Sequence, residues 1–498
     1  MDVVSYRGPG VAGGVSSGLG NAWRKDRNGN TRWWFVADQS ISVLSKNAAQ
    51  SQFVTHLPEN VIDGHYRYCN EFLWPVLHDL PQYATYSSEG RALYRRFNAR
   101  FAQFIAFERQ GLSPYFVQDY QLALLPELLQ NISTMVFWHI PWPKYVPLEF
   151  TEPMSEIARG LLSAHVLGFH TAEYVDNFMN FVSDNLVEYS VDRTHSVVSP
   201  IYGRTSPSLI EVASTQPAGN YVMRPFASTG FASTGTRQRS STTKLVVKPL
   251  GIDVNQWQHT AAITPFAQIA DKLPEGVLQR PFVLSVDRAD YTKAVLERLN
   301  AVDKFMEKRP EAIGQLSFVQ VCGRSRVGLN AFDRYWEACR ALYTTVNDRW
   351  RTADWQPIQW LDKPLNPIEL SALYRHADIM LVNPVRDGLN LTAKEFTACQ
   401  GDDAAVLLLS PAAGCWHELG DYSLPANPKN LPEMVDSLEQ ALHMSPAEKQ
   451  ARNSLAKIVL EKGSLQSWWR YFERVSHAIV RNGGNNIATD DILQAARG

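Results

Sequence analysis

A chain of 498 residues exceeds what one hydrophobic core ordinarily supports, so the length predicts two domains. The formal net charge of -2 excludes the general attraction to nucleic acid that a strongly basic protein has. Five scattered cysteines without a C-x-x-C pair argue against a disulfide framework or a zinc site. No apolar run is long enough to span a bilayer and no leader-like stretch opens the sequence, so we expect a cytoplasmic protein without a membrane partner.

A glycine-rich turn follows the first predicted strand, Val3-Val4-Ser5. It runs from Arg7 to Gly18 and does not match the G-x-G-x-x-G pattern of dinucleotide-binding turns. A loop that contacts phosphate or sugar and a merely mobile turn are both open interpretations.

Two later strands of this region end in residues that can do chemistry. Asp119 ends the strand that begins at Pro114, and His139 ends the strand that begins at Met135. In open α/β sheets, ligands bind outside the carboxyl ends of strands. Both side chains could orient hydroxyl groups or move a proton there, while a polar group satisfied at a strand end is an equally good interpretation.

Strand and helix patterns alternate in two successive series along the chain. They predict an α/β protein with two doubly wound, Rossmann-like domains and a cleft between them, at residues 1–245 and 246–470. Residues 471–498 are expected to contribute a C-terminal helix. The segment 198–244, crowded with Ser, Thr, Gly and Pro, is interpreted as a mobile loop or an elaborated hairpin; a lid and, in preference to it, a disordered insertion are the open alternatives.

The stretch from Asn383 to Glu395 is the centre of the second series. An apolar strand precedes it, Gly388 breaks the pattern, and a helical composition begins at Leu391. A strand, a glycine turn and a helix leave unpaired N–H groups at the helix start, where they can hold a phosphate. Glu395, about one turn inside the helix, could accept hydrogen bonds from a ribose diol.

Two basic loops follow strands of the same series. The first carries Arg288 and Lys293, a fork and a point charge that suit a diphosphate. Asp287 and Asp290 leave open that this loop pairs internally. The second loop includes Arg326 and would suit a second phosphate ester. Together these features outline a nucleotide-sugar site.

Taken together, the motifs resemble glycosyltransferase family 20, the trehalose-6-phosphate synthase family. The resemblance covers about residues 3–480, and its matching pieces are the loop after Arg7, Leu73-Trp-Pro75, Asp119-Tyr120, His139-Ile-Pro141, Ser285 to Lys293, Ser325-Arg326 and Arg386 to Glu395. It implies a GT-B fold and transfer of glucose from a nucleotide diphosphate sugar to a phosphorylated acceptor, with retention at the anomeric carbon. It also implies that no metal or other cofactor is bound.

The resemblance also implies roles for individual residues. Arg288 and Lys293 would hold the donor diphosphate, Glu395 its ribose, and Asp387 with Gly388 the transferred glucose. The full expected donor set is Gly13, Gly14, Arg288, Lys293, Asp387, Gly388, Leu389, Asn390, Leu391 and Glu395. The expected acceptor set is Arg7, His65, Trp74, Asp119 and Arg326, and the residues expected to act in catalysis are Asp119, His139, Arg288 and Lys293.

Departures from the family pattern lie on the acceptor side. An expected tryptophan is replaced at Ala37, and an expected tyrosine falls on or beside His65. The acceptor is therefore open: glucose 6-phosphate, giving trehalose 6-phosphate from UDP-glucose, is favoured, and glycerol 3-phosphate with ADP-glucose is the alternative. A pseudo-glycosyltransferase or a regulatory homologue would be expected to have lost donor residues that this chain keeps. Monomer and homo-oligomer are both open.

Overall fold

The computed structural model describes residues 1–9, 14–24, 31–36, 52–109, 111–129, 132–201, 242–273, 277 and 281–481. Its strands are β1 (Asp2–Val4), β2 (Trp33–Val36), β3 (Gln52–Thr55), β4 (Tyr115–Gln118), β5 (Thr134–Phe137), β6 (Val166–Phe169), β7 (Tyr189–Asp192), β8 (Val197–Pro200), β9 (Thr243–Val247), β10 (Phe282–Arg288), β11 (Ser317–Gly323), β12 (Ile358–Leu361), β13 (Ile379–Val382), β14 (Val406–Leu409) and β15 (Leu424–Pro425).

The α-helices of the described residues surround these strands. They are α1 (Gly14–Arg24), α2 (Glu59–Arg67), α3 (Trp74–Leu77), α4 (Ser88–Glu108), α5 (Leu125–Leu128), α6 (Thr151–Leu161), α7 (Ala172–Asn185), α8 (Val254–Ile263), α9 (Ala267–Ala270), α10 (Val295–Lys308), α11 (Asn330–Trp350), α12 (Pro367–His376), α13 (Leu391–Cys399), α14 (Trp416–Leu419), α15 (Leu431–His443), α16 (Pro446–Lys462) and α17 (Leu465–Arg481). A π-helical segment, Tyr68–Leu73, joins α2 to α3.

The first sheet has nine strands in the order β3-β2-β1-β4-β5-β6-β9-β8-β7. Neighbours from β3 to β9 pair in parallel, whereas β8 pairs antiparallel with both β7 and β9. The order of the strands reverses between β1 and β4, and ligands bind outside this switch point in doubly wound sheets. The segments after Val4 and Gln118 therefore mark the place where this sheet is expected to contact a ligand.

The second sheet has six strands, all parallel, in the order β12-β11-β10-β13-β14-β15. This is the strand order of the Rossmann fold, and its switch point lies between β10 and β13. Every residue of β13 and β14 is buried, which explains their continuous apolar sequence. We call the part built on the first sheet the N-terminal half and the part built on the second sheet the C-terminal half.

The chain passes between the halves at residues 248–252 and again at 463–465, and the two passages touch. Leu465 donates its N–H to the carbonyl of Ile252 at 3.0 Å. A Cβ on Gly251 would lie 2.1 Å from the carbonyl oxygen of Gly463, so only glycine fits this crossing.

The last described helix, α17, returns to the N-terminal half. The ring of Phe472 lies 4.6 Å from that of Phe116 and 5.5 Å from that of Phe137, on the first sheet. β9 at 243–247 still pairs within the first sheet, across the position where the sequence divides the chain. The division at 245 and 470 stays a prediction.

The described residues cover only part of what is needed to check two predictions, the character of the segment 198–244 and the absence of a membrane-spanning helix. The segment 198–244 lies outside them from 202 to 241, and only its flanks, in β8 and β9, are described. Within the described part of the chain, no helix is long and apolar enough to cross a membrane. The cytoplasmic placement stays a prediction.

Candidate active site

Arg288 is the last residue of β10, at the switch point of the second sheet. Its side chain is 54% exposed, and its nearest carboxylate, Asp290, lies 4.0 Å away. A guanidinium that is exposed and only weakly paired within the protein can bind an anion in front of the sheet. The structure therefore places Arg288 where the sequence predicts a diphosphate ligand.

Lys293 pairs with Asp387 across the same switch point. Its ammonium group contacts the carboxylate of Asp387, which also accepts a 3.1 Å hydrogen bond from the amide of Asn390. Burial would raise the pKa of Asp387, but Lys293 holds that pKa below its usual value. Burial would lower the pKa of Lys293, but Asp387 and Asp287 hold it above its usual value. Both members of the pair are therefore charged, and the pair bridges the segments that follow β10 and β13.

Asn390 begins helix α13 and caps its N-terminus. Its backbone has φ of 76°, and its side-chain oxygen accepts the N–H of Ala393 at 3.0 Å. The N–H groups that open a helix lack intrahelical acceptors and carry the positive end of the helix dipole. Because Leu391 is the first helical residue, these groups face the same edge of the sheet as Arg288 and Lys293.

Glu395 lies one turn further along α13. Burial raises the pKa of its carboxyl group to about 7, and a hydrogen bond with Tyr374 acts in the opposite direction. The carboxyl group therefore changes its charge near neutral pH, where a ligand that donates hydrogen bonds would favour the ionised form.

His139 is the counterpart of these residues in the N-terminal half. Its side chain is 5% exposed, and Nε2 lies 2.9 Å from the amide oxygen of Gln118. Burial lowers the pKa of His139 to about 3, so the ring is neutral, with its proton on Nε2 facing that oxygen. Nδ1 is buried and has no hydrogen-bond partner within the described part of the chain. It can accept a hydrogen bond from a hydroxyl group of a ligand.

Asp119 stands beside His139 in a strained conformation. Its backbone has φ of 71° and ψ of 174°, a combination that residues other than glycine rarely adopt. Its carboxylate accepts the backbone N–H of His139 at 3.1 Å, while burial raises its pKa to about 7. Strain of this kind persists where the surrounding structure enforces it, and such places are often functional.

Gly388 brings the two halves together. A Cβ on this residue would lie 2.1 Å from the carbonyl oxygen of His139 and 2.8 Å from the Cα of Ile140. The backbone after β13 therefore touches the backbone after β5. The basic side chains and the helix start of the C-terminal half therefore face the polar side chains of Asp119 and His139 in the N-terminal half.

Arg326 lies in the loop after β11 of the C-terminal half, and its side chain packs in a closed environment against the N-terminal half. Its guanidinium carbon lies 4.0 Å from the ring of Trp74 and 4.7 Å from that of Phe332. The same group pairs with Asp290 and donates to the side-chain oxygen of Asn70, and its side chain is 8% exposed. Arg326 and Trp74 are thus in contact, with the guanidinium already paired with Asp290, and their role at an acceptor stays a prediction.

His65 is placed differently from its expected role. Its side chain is completely buried, stacked 3.7 Å from the ring of Phe97, and Nε2 lies 2.9 Å from the carbonyl oxygen of Gln121. Burial lowers its pKa to about 4. The ring has no surface to offer an acceptor, because aromatic packing encloses it. It stacks 5.4 Å from the ring of Tyr6, next to Arg7, so any contribution to binding is indirect.

The remaining predicted residues are Arg7, Gly13, Gly14 and Leu389. Arg7 is partly buried in the turn after β1, where its carbonyl accepts the hydroxyl of Ser5 at 2.5 Å. Gly14 is the first residue of α1, and Gly13 lies outside the described residues. Leu389 is buried and accepts the N–H of Cys415 through its carbonyl at 2.8 Å.

Sequence reasoning missed several groups that hold the site in place. Asp290, weighed only as an internal partner, is fully buried; burial would raise its pKa, but Arg326 and Arg288 hold it below its usual value. Asn70 reaches Arg326 from the π-helical segment, 256 residues away in the chain. No pattern in the sequence signals a contact of that separation.

Two facing Rossmann-like sheets, with the start of a helix on one and polar groups on the other, define the GT-B class of glycosyltransferase folds. The chain belongs to glycosyltransferase family 20, whose family model matches residues 31–476. The predicted fold class and family are therefore confirmed.

Three relatives illustrate the match. A probable alpha,alpha-trehalose-phosphate synthase (UDP-forming) of Arabidopsis thaliana is 27% identical over 438 residues, which cover 85% of this chain and 50% of the plant protein. A glucosylglycerol-phosphate synthase of Synechocystis is 28% identical over 450 residues, which cover 90% of this chain and 86% of that protein. A solved alpha,alpha-trehalose-phosphate synthase (UDP-forming) of Burkholderia xenovorans, in complex with glucose-6-phosphate, has a TM-score of 0.79 and 25% identity, covering 96% of this chain and 99% of that one. The chain spans about half the length of several curated relatives that it matches.

Proposed function

We propose that this chain is a retaining glucosyltransferase that moves glucose from UDP-glucose to glucose 6-phosphate, giving α,α-trehalose 6-phosphate and UDP. The observation that carries the proposal is the contact of Gly388 with the backbone of His139 and Ile140. This contact would set the proposed anion site of one half directly against hydrogen-bonding groups of the other. The relatives named as UDP-forming trehalose-phosphate synthases, one of them solved with glucose-6-phosphate, support the same substrates.

The donor would bind to the C-terminal half. Arg288 and Lys293 would neutralise the diphosphate, together with backbone groups at Asn390 and Leu391. Glu395 would accept hydrogen bonds from the ribose diol. Gly14, the first residue of α1, would approach the donor from the N-terminal half.

The transferred glucose would lie between the halves. Asp387 and Gly388 would contact it on one side, and Nδ1 of His139 would accept a hydrogen bond from its 6-hydroxyl group on the other. The neutral ring of His139 suits this task, because a protonated Nδ1 could not accept a hydrogen bond.

The reaction would exchange one bond at the anomeric carbon for another. The bond from that carbon to the diphosphate oxygen breaks, and a bond to the acceptor hydroxyl oxygen forms on the same face. The acceptor proton passes to the departing diphosphate, whose negative charge Arg288 and Lys293 stabilise. The protein works mainly by holding both substrates in position, and its own cations meet the charge that a metal ion would otherwise meet. We therefore expect turnover to persist in a chelator.

The acceptor phosphate would meet Arg7 and Arg326, with Trp74 and Asp119 nearby. Arg326 would exchange part of its contact with Asp290 for the phosphate, since both present oxygens to the same guanidinium. Asp119 would face the attacking hydroxyl. Its pKa of about 7 lets it hold or release a proton at physiological pH.

A second candidate acceptor is glycerol 3-phosphate, with ADP-glucose as donor. The glucosylglycerol-phosphate synthase of Synechocystis matches nearly the whole of both chains. The enclosed ring of His65, at a position where the family pattern expects an acceptor-binding tyrosine, favours a changed acceptor site. The donor site would be unaffected by this change.

The test is release of nucleoside diphosphate from UDP-, ADP- and GDP-glucose, each with glucose 6-phosphate, glycerol 3-phosphate or no acceptor. Arg288→Ala, purified in parallel, serves as the matched control, because a contaminating hydrolase would survive in both preparations. We expect turnover with UDP-glucose and glucose 6-phosphate that falls about 10²- to 10³-fold in the variant.

Turnover only with glycerol 3-phosphate would move the chain to the second candidate. Silence in every combination, with UDP binding still measurable by calorimetry, would contradict the transferase proposal and favour a pseudo-glycosyltransferase or regulatory role.

A further inference from the structure

One side chain of the segment 386–395, which we call the donor segment, pairs with the opposite half of the molecule. Arg386 directly precedes Asp387, yet its Nη2 lies 2.5 Å from Oε1 of Glu173 and its Nε 3.3 Å from Oδ2 of Asp79. Both carboxylates belong to the N-terminal half. The Arg386 side chain is 14% exposed, and its guanidinium carbon lies 5.2 Å from the centre of the Tyr174 ring.

The backbone next to Arg386 is held by helix α7, which also carries Glu173. The hydroxyl of Tyr174 donates to the carbonyl oxygen of Asp387 at 2.9 Å, and the N–H of Gly414 donates to the same oxygen at 3.0 Å. Glu173 and Tyr174 are consecutive residues in the first turn of α7. One turn of α7 therefore fixes both the Arg386 side chain and the Asp387 carbonyl.

These contacts determine where the reacting groups of the donor segment lie. The carboxylate of Asp387 pairs with Lys293, and Gly388 packs on the carbonyl of His139. A guanidinium that is hydrogen-bonded to Glu173 and lies at ion-pair distance from Asp79, both in the other half, can hold this arrangement only while the halves are closed. Opening the cleft would separate Arg386 from Asp79 and Glu173 without disturbing the groups that hold the diphosphate.

We propose that Arg386 is a positioning residue that locks the donor segment to the N-terminal half, so that the closed cleft presents the donor glucose to the acceptor. This inference rests on the proposed transferase function. Arg386 touches no substrate in this account. The side chains that would hold the diphosphate and the ribose, Arg288, Lys293 and Glu395, all belong to the C-terminal half, whereas transfer needs both halves in register. Loss of the lock should therefore lower transfer and spare binding of UDP.

The chain contains a matched control for this arginine. Arg349 also binds two carboxylates, of Asp303 and Glu307, and its guanidinium carbon lies 4.6 Å from the ring of Trp350. All of these partners belong to α10 and α11 of the C-terminal half. Arg349→Gln removes the same kind of interactions as Arg386→Gln without touching the contact between the halves.

The experiment compares Arg386→Gln and Arg349→Gln with the unchanged chain. In Arg386→Gln we expect kcat for glucosyl transfer to fall about 10- to 100-fold, the loss typical of a misplaced reacting group. The dissociation constant of UDP, measured by calorimetry, should change less than about threefold, because Arg288 and Lys293 remain. Arg349→Gln should keep kcat, and Arg386→Lys should recover part of it, because it restores charge without the fork.

A double-mutant cycle identifies the partner. If Glu173 acts through Arg386, the variant carrying both Arg386→Gln and Glu173→Gln should be no slower than Arg386→Gln alone. Independent, multiplying losses would overturn the assignment of Glu173. An unchanged kcat in Arg386→Gln, or a loss of UDP affinity as large as the loss of kcat, would overturn the positioning role itself.

A measurement that needs no turnover distinguishes failure of the proposed transferase function from failure of the Arg386 lock. Hydrogen exchange of the backbone around His139 and Ile140, measured with UDP bound, should be faster in Arg386→Gln than in the unchanged chain, because the contact with Gly388 opens. If the unchanged chain transfers no glucose but exchange accelerates, the lock stands and the transferase proposal fails. Unchanged exchange overturns the lock whatever the activity.

Discussion

Arg288 and Lys293 are both expected to neutralise the donor diphosphate, but their surroundings in the fold differ. Lys293 is paired with a carboxylate in a nearly closed site, with side-chain exposures of 14% and 15%. Its removal would leave Asp387 as an unpaired buried charge, and such changes also destabilise the fold. Arg288 is 54% exposed, so its removal separates catalysis from stability.

Arg288→Ala should lower kcat by about 10²- to 10³-fold, the cost of losing one donor to charge that grows in the transition state. The melting temperature should move by less than about 2 °C, because an exposed side chain contributes little to stability. Steady-state kinetics and calorimetry on the same preparation provide both values. A melting temperature that falls as markedly as the activity would contradict the assigned role.

The raised pKa of Asp119 predicts how stability depends on pH. Its ordinary value is 3.8 and its value in the fold about 7, so the folded chain holds a proton in this interval that the unfolded chain has lost. The contribution of Asp119 to stability is therefore fully present below about pH 4 and is lost as the pH rises through about 7.

Asp119→Asn removes this titration and keeps an oxygen that can accept the N–H of His139. Relative to the variant, the unchanged chain should lose about 1–3 kcal/mol of unfolding free energy between pH 5 and pH 8. Urea denaturation at both values measures it. Asp63→Asn, which changes a side chain that is 61% exposed, should show no such difference. Parallel pH profiles for the unchanged chain and Asp119→Asn would refute the buried state of this carboxyl group.

The turn between β13 and α13 depends on close approach between backbones. Gly388→Ala would place a methyl group 2.1 Å from the carbonyl oxygen of His139, so the halves would have to separate. We expect the rate of glucosyl transfer to fall at least about 100-fold, while the affinity for UDP in the absence of an acceptor falls much less. The control is Gly90→Ala, where the nearest atom lies 3.4 Å away and an added methyl group fits. Full transfer activity in Gly388→Ala would show that closure at this contact is dispensable.

The helices and strands were the part of the structure that the sequence predicted best. The apolar runs and glycine breaks gave the strands that line the site, and the strand, glycine and helix pattern placed Asn390 and Leu391 at a helix start. The hairpin of β7 and β8 and the edge strand β3 were missed, since their sequences are short and only partly apolar. His65 was misplaced because its aromatic neighbours come together only in the folded core.

The whole molecule contains information that no local pattern carries. Arg386 and Glu173 are 213 residues apart in the chain, and Arg326 and Asn70 are 256 apart. Local propensity and periodicity describe neighbours in sequence, whereas these contacts depend on how the two sheets face each other. The family resemblance supplied the facing arrangement, but it could not supply the partner of each charge.

The crossing between the halves should be sensitive to a single methyl group. Gly251→Ala would bring a Cβ within 2.1 Å of the Gly463 carbonyl oxygen and 2.3 Å of the Ser464 carbonyl carbon. Both passages of the chain would shift, and α17 with them. We expect the melting temperature to fall by about 2–4 °C or more, with an increased radius of gyration in small-angle scattering. Unchanged values of both would contradict the tight contact of the two passages.

The most direct test of the account is the structure of the product. UDP-glucose labelled with ¹³C at its anomeric carbon is incubated with glucose 6-phosphate, and the product is examined by NMR. We predict a non-reducing disaccharide phosphate whose labelled carbon keeps the α configuration, formed in equal amount to UDP. An inverted linkage, or UDP release that does not depend on the acceptor, would contradict a retaining transfer across the closed cleft.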